Sequence, residues 1–201
     1  MILGTHNSGT GGRLVWWLRP FAWFINPTSK CQSRTIRQQL EDGVRLFNFQ
    51  VAKYKGKYRF SHGLALYEGD AMGEILSVVS HATKDSPIYF QIYLDNSFWC
   101  KRDEQEFYNF KAVTKRLGAL CRMNGNAYMM APWIEGTNVR FPGNDFYLRW
   151  QEHYWTLGWA KTCALKWIDR LPLPKCHAKK YNAKYKAECN TDYLMLDFYE
   201  L

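Results

Sequence analysis

Ile2-Leu3-Gly4-Thr5-His6-Asn7-Ser8-Gly9-Thr10 is a short apolar run that stops at a histidine and a flexible Gly/Ser loop. Tyr58-Arg59-Phe60-Ser61-His62-Gly63 alternates as a strand does and again delivers a histidine before a glycine. Between them, Gln38-Gln39-Leu40-Glu41-Asp42-Gly43-Val44-Arg45-Leu46-Phe47-Asn48-Phe49-Gln50 reads as a helix end followed by a strand. A histidine at the C-terminal mouth of a strand can reach a cleft, and two of them can share one substrate as base and acid. Taken singly, such a histidine is more often structural or solvated; the pair is the informative feature.

Outward from these stretches, strands and helices alternate. Thr35 to Gly43 predicts a short helix with Ile36 and Leu40 on one face and Gly43 as its stop. Val44 to Val51 predicts a strand, followed by a hairpin turn at Lys55-Gly56-Lys57. Met72, Ile75, Leu76 and Val79 give Asp70 to Thr83 the spacing of a buried helical stripe. A strand is expected at Ile88 to Leu94, a helix from Asp103 to Leu117, and an inner strand at Ala127 to Ala131. Residues 135–145 read as loop, Phe146 to Gln151 as strand, Leu157 to Arg170 as helix, Pro172 to Asn190 as irregular, and Asp192 to Tyr199 as a final strand. This alternation implies an α/β fold with a mostly parallel sheet; with active groups at strand ends it suggests a compact, irregular TIM-type (β/α) barrel. A full eight-fold barrel typically takes roughly 250 residues, so at 201 residues, read as a single domain over 1–201, some elements are expected to be short or missing.

Hydrophobic residues at 47% and charged residues at 22% describe a globular chain with a core. A net charge of +9 draws polyanions, which makes an anionic phospholipid surface or nucleic acid the candidate partner. The lysines and arginines are dispersed through no recognised nucleic-acid module, which disfavours nucleic acid. Six cysteines without a C-x-x-C pair, and with Cys176-His177 merely adjacent, give no expectation of a zinc site and read as free thiols in a reducing compartment. Arg13 to Ile25 holds Trp16, Trp17 and Trp23 and is interrupted by Arg19-Pro20, so it is too short to span a bilayer. It fits either an aromatic segment packed on the barrel wall or an interfacial anchor with tryptophans at head-group level. With neither signal peptide nor membrane span read from the sequence, a cytoplasmic or peripheral membrane location is expected.

The ordered words Gly-Thr-His-Asn-Ser at 4–8, Gln-Leu-x-x-Gly-Val-Arg at 39–45 and Ser-His-Gly at 61–63 resemble the X region of the phosphatidylinositol-specific phospholipase C family. The resemblance is strong over the first third of the chain and weak towards its end. It implies cleavage of an inositol phosphodiester through a cyclic phosphate, with diacylglycerol leaving, and help from the segment after the first histidine in docking to membranes. Carried over by motif, His6 is the base, His62 the acid, and Asp197 the carboxylate that orients His6. Gln151-Glu152-His153-Tyr154 resembles the family's head-group strand end, which implies that Glu152 accepts inositol hydroxyls and Tyr154 stacks on the ring. Asn7, Asn48 and Gln50 fall where the family contacts phosphate or metal.

The departures fall in that last group. The family's bacterial branch carries Asp and Arg at the positions of Asn48 and Gln50, and its eukaryotic branch carries acidic calcium ligands there. Both residues are neutral here, and Asn7 alone cannot hold calcium, so no cofactor or metal is expected, with calcium the open alternative. Lys53 or Arg59 would have to meet the phosphate charge. The leading expectation is therefore a metal-independent phosphodiesterase acting on an inositol phospholipid, and the alternative is a catalytically weakened lipid- or inositol-phosphate-binding member of the same fold. A glycerophosphodiesterase-like enzyme wants a strand-end His-Arg-Gly that His6-Asn7-Ser8 does not supply.

Overall fold

The computed structural model describes residues 2–95, 99, 104–129, 174–188 and 193–201. A parallel run of strands forms its spine. β1 (Ile2–Thr5) lies between β2 (Leu46–Tyr54) and β7 (Tyr193–Leu196), and β2 continues to β5 (Ile88–Leu94) and then β6 (Ala127–Met129). Every neighbour in this run is parallel, so the C-terminal ends of β1, β2, β5 and β7 open on one side. Past its pairing with β1, β2 turns into an antiparallel hairpin with β3 (Lys57–His62), which then meets β4 (Ala65–Leu66). The two-residue turn puts Lys55 and Gly56 at φ 50° and 78°, the conformation whose twist matches that of a hairpin.

The sheet is α/β and barrel-like in curvature, but among the described residues it is an arc ending at β6 and β7 and not a closed barrel. The strand expected at 146–151 and the helix expected at 157–170 lie outside the described residues.

Six-residue helix α2 (Ile36–Glu41) starts in a capping box between Thr35 and Gln38 and stops at Gly43, φ 87°. Helix α3 (Ala71–Ser80) is capped by Asp70, whose carboxylate accepts from the Met72 amide. Its buried face is Ala71, Ile75, Val78 and Val79, while Leu76 is 43% exposed, so the stripe is rotated by about one position from the one the spacing predicts. Helix α4 (Glu104–Asn124) runs a further two turns past Leu117. The largest departure is α5 (Pro174–Glu188), which stands where the sequence predicts irregular chain. Pro174 occupies the first helical position, where a missing N–H costs nothing, so it marks a start and not a break. Beneath the helices, Phe47, Phe49, Phe60 and Phe90 stack through the centre of the core with ring centroids 5.6–6.1 Å apart. No helix among the described residues is long and apolar enough to cross a membrane.

Candidate active site

The loop after β1 is stitched to its neighbours by the short polar residues of the Gly-Thr-His-Asn-Ser motif. Ser8 Oγ donates to the Thr5 carbonyl (2.8 Å) and accepts from the Asn48 amide (3.0 Å). Thr5 Oγ1 donates to Gln39 Oε1 (2.7 Å). Asn7 takes a left-handed conformation, φ 45°, which asparagine tolerates, and its amide N–H reaches Asn48 Oδ1 at 3.1 Å. A Cβ on Gly9 would stand 2.2 Å from the Phe60 ring, so glycine lets the loop lie against β3.

β1 and β7 are paired with Thr5 opposite Leu196. The next residue on each strand therefore emerges beside the other. His6 Nδ1 lies 2.9 Å from Asp197 Oδ1, and the Asn7 side-chain amide lies 3.2 Å from His6 Nε2. An amide N–H can only donate, and a carboxylate can only accept, so the two contacts agree on one neutral tautomer. Nδ1 carries the proton towards Asp197, and the Nε2 lone pair accepts from the Asn7 amide. Asp197 sits in a constrained turn. Phe198 has φ 42°, a conformation that a bulky residue holds only when its surroundings impose it. The Phe198 N–H donates to the Cys31 carbonyl (2.7 Å), and the Asn182 amide donates to the carbonyls of Asp197 and Phe198, both at 2.9 Å.

His62 faces His6 edge-on, with ring centroids 6.1 Å apart. Its Nδ1 donates to the Ser29 carbonyl (2.8 Å), which leaves Nε2 available. Cys31 Sγ lies 3.6 Å from the same Nδ1 and accepts from the Asn7 amide at 3.7 Å. Burial first, and the neighbouring His6 second, hold the His62 imidazolium below the ordinary histidine range, partly offset by the Ser29 carbonyl. Burial and Asp197 push the Cys31 thiol well up.

A cluster of neutral amides forms the floor. Tyr93 Oη stands 3.1 Å from Asn7 Oδ1, 3.3 Å from Asn48 Oδ1 and 3.3 Å from Gln50 Oε1. Asn48 donates to Gln91 Oε1 (3.0 Å), and Gln50 donates to Asp95 Oδ1 (2.6 Å). Burial raises the Tyr93 phenol far above its usual value, so it is a neutral donor to these oxygens. Calcium takes six to eight oxygens with several carboxylates among them. Here the converging oxygens are amides already facing a phenol, and Asp95 is turned to the Gln50 amide, so among the described residues this floor does not fit calcium. Lys53 does not supply the missing charge. Two-residue alternation puts it on the face of β2 opposite Asn48 and Gln50, where its ammonium pairs with Glu106 at 2.7 Å. Arg59 reaches towards the Gly69 carbonyl at 3.5 Å.

Of the residues singled out in the sequence, His6, His62, Asp197, Asn7, Asn48 and Gln50 come together at this end of the sheet. Glu152 and Tyr154 lie outside the described residues. In the aromatic segment, residues 16–21 form a 3-10 turn and lead into α1 (Ala22–Ser29). Trp16 and Trp23 are 70% and 77% exposed, with Phe21 and Phe24 also outward. Trp17 instead packs on Tyr54 at 5.4 Å, and Arg19 pairs with Glu68 at 2.7 Å. Sequence reasoning missed Cys31, Gln91 and Asp95. Cys31 follows α1 without a motif, Gln91 lies inside the strand expected at Ile88 to Leu94, and Asp95 directly follows it.

No protein-family model and no curated protein sequence matches the chain. Solved structures do. The phosphatidylinositol-specific phospholipase C from Listeria monocytogenes superposes with a TM-score of 0.60 at 13% identity, over 98% of this chain and 87% of that one. A double mutant of the Staphylococcus aureus enzyme gives 0.56 at 14% identity, over 98% and 84%, and a single mutant gives 0.55 at 13%, over 98% and 85%. The chain has the fold of the bacterial phosphatidylinositol-specific phospholipases C, the PLC-like phosphodiesterase fold.

Proposed function

We propose that the chain, acting as a single domain, cleaves phosphatidylinositol or a related inositol phosphodiester without a metal, by a histidine base and a histidine acid. The observation that carries this reading is the tautomer imposed on His6 by Asp197 and Asn7, with His62 facing it at 6.1 Å. His6 Nε2 takes the proton of the inositol 2-hydroxyl, and that oxygen forms a bond to phosphorus. The bond from phosphorus to the diacylglycerol oxygen breaks, and the proton on His62 goes to the leaving oxygen. A cyclic inositol phosphate and diacylglycerol result. Asn7, Asn48 and Gln50 contribute neutral hydrogen bonds at the phosphate, Glu152 and Tyr154 hold the inositol ring, and Trp16 and Trp23, with Trp17 packed on Tyr54 behind them, form the face that meets an anionic phospholipid surface.

Phosphorus NMR of the protein with phosphatidylinositol micelles and EDTA tests this. A cyclic inositol phosphate resonance that is lost in both His6→Ala and His62→Ala is the expected result. No cyclic product from the parent protein, with or without added calcium, sinks the enzymatic reading. One observation favours a second reading, a head-group-binding module: the floor beneath the histidines is neutral, and Lys53 is committed to Glu106. Retained head-group binding without turnover would select it.

A further inference from the structure

We propose that His6, Cys31 and Asp197 form a binding site for a zinc-class divalent cation in the wall of the cleft, with His6 at its partly exposed edge. One ring nitrogen, the sulfur and one carboxylate oxygen all lie within 4.8 Å of one another. Ligand atoms around a tetrahedral zinc stand roughly 3.3–3.7 Å apart at bond lengths of about 2.0–2.3 Å. Bringing all three onto one ion takes side-chain rotations and displaces the Asn7 amide, which donates to His6 Nε2 (3.2 Å) and Cys31 Sγ (3.7 Å).

The three ligands come from the ends of β1, α1 and β7, and their backbones are locked to one another. The Phe198 N–H donates to the Cys31 carbonyl at 2.7 Å, which ties the cysteine to the residue after Asp197. Gln32 Nε2 donates to the carbonyls of His6 (2.8 Å) and Leu196 (2.9 Å), and Thr10 Oγ1 accepts from the Cys31 amide (3.0 Å). Such an outer shell holds ligands in place for an ion.

Charge and softness select the metal. A thiolate and a carboxylate offset a divalent ion, so a buried site carries no net charge once the thiol proton leaves to solvent. Sulfur with imidazole favours zinc and its neighbours over calcium or magnesium, which take oxygens. The His6 side chain is 25% exposed, so entry and a fourth, solvent-borne ligand come from the cleft side. His62 keeps its bond to the Ser29 carbonyl and stands outside the ligand set. Metal binding itself does not depend on the phosphodiesterase reading. Its consequence does: an ion on His6 and Asp197 removes the base, so zinc acts as a reversible inhibitor.

The test uses the intact, EDTA-stripped chain titrated with cobalt(II) as a spectroscopic substitute for zinc, followed by competition with zinc. A thiolate-to-cobalt charge-transfer absorption in the parent, absent in Cys31→Ser, is the expected result. Zinc affinity is expected to fall about tenfold or more in His6→Gln and Asp197→Asn. Absence of the absorption in the parent, or its persistence in folded Cys31→Ser, overturns the proposal. Should circular dichroism show Cys31→Ser unfolded, His6→Gln at the partly exposed rim decides: weakened zinc binding supports the site, and unchanged binding overturns it. Every readout is binding, so an inactive protein leaves the outcome interpretable.

Discussion

Asp197 accepts from His6 across 191 residues of sequence, at 2.9 Å, because β7 lies parallel to β1 with Leu196 opposite Thr5. The carboxylate does not need to take up a proton; it fixes which ring nitrogen is protonated. Asp197→Asn keeps the shape and loses that control, since an amide can turn its NH2 to Nδ1 and leave Nε2 protonated. The phosphodiesterase rate is expected to fall by roughly 10²–10⁴ with substrate affinity little changed. Initial rates over a range of micellar substrate read the split; a variant that keeps the parent rate removes Asp197 from the mechanism.

His62 gives a pH dependence with a definite sign. Burial and His6 disfavour its charged form, so its folded value lies below that of the unfolded chain. The contribution to stability is complete above the ordinary histidine value of about 6.5. It is lost as pH falls towards the folded value, because the unfolded chain takes up a proton that the folded one resists. Urea midpoints measured from about pH 7.5 to about pH 5 are expected to drop less in His62→Gln than in the parent. In its proposed role of general acid, the same group should place the basic limb of kcat/KM below the ordinary histidine value. Equal pH slopes for parent and variant would contradict this account of His62.

Strands β1, β2, β3 and β5 and the two histidines at strand ends were legible because local pattern carries them, whereas the two-residue β4 was not read. Alternation in Tyr58 to His62, a two-residue Lys55-Gly56 turn and the Gly43 stop each act within a few residues. Asp197 was legible only through resemblance, since no local signal joins it to His6. Helix α5 was hidden by Pro172 and Pro174, residues that read as breakers unless one recognises the second as a first-turn proline. The rotation of the α3 stripe to Val78 is set by what packs against it, which hydrophobicity alone does not record. Cys31 was invisible for a related reason: its position beside the histidines comes from the chain after α1 meeting the turn after β7, where the Phe198 N–H donates to the Cys31 carbonyl, and no spacing encodes that.

The neutral floor suggests a gain-of-function substitution. Gln50 Nε2 already donates to Asp95 Oδ1 at 2.6 Å, so an arginine at this position would find a carboxylate to orient its guanidinium. Gln50→Arg places a fixed positive charge beside the proposed phosphate site. Because one preorganised charge-stabilising donor is worth about 10²–10³ in rate, an increase of at least roughly tenfold in phosphatidylinositol cleavage in EDTA is expected from the folded variant. If Gln50→Arg folds and its rate does not rise, phosphate charge is not what limits the reaction.

The aromatic segment divides by exposure. Trp16 and Trp23 stand 70% and 77% in solvent, whereas Trp17 is held against Tyr54, with Lys55 over its ring. A tryptophan at a head-group boundary buries apolar area on docking, so removing Trp16 or Trp23 should weaken partition onto anionic phospholipid vesicles by roughly tenfold or more per ring. Trp17→Ala is instead expected to lower the unfolding midpoint, by about 1–2 kcal/mol of lost packing, and to spare vesicle affinity. With a net charge of +9, added salt should weaken binding of the parent to anionic vesicles and leave the weaker binding to neutral ones nearly unchanged. Vesicle sedimentation of the three variants at two salt concentrations separates the contributions. Undiminished partition of the Trp16→Ala, Trp23→Ala double variant would mean that this face does not meet the membrane.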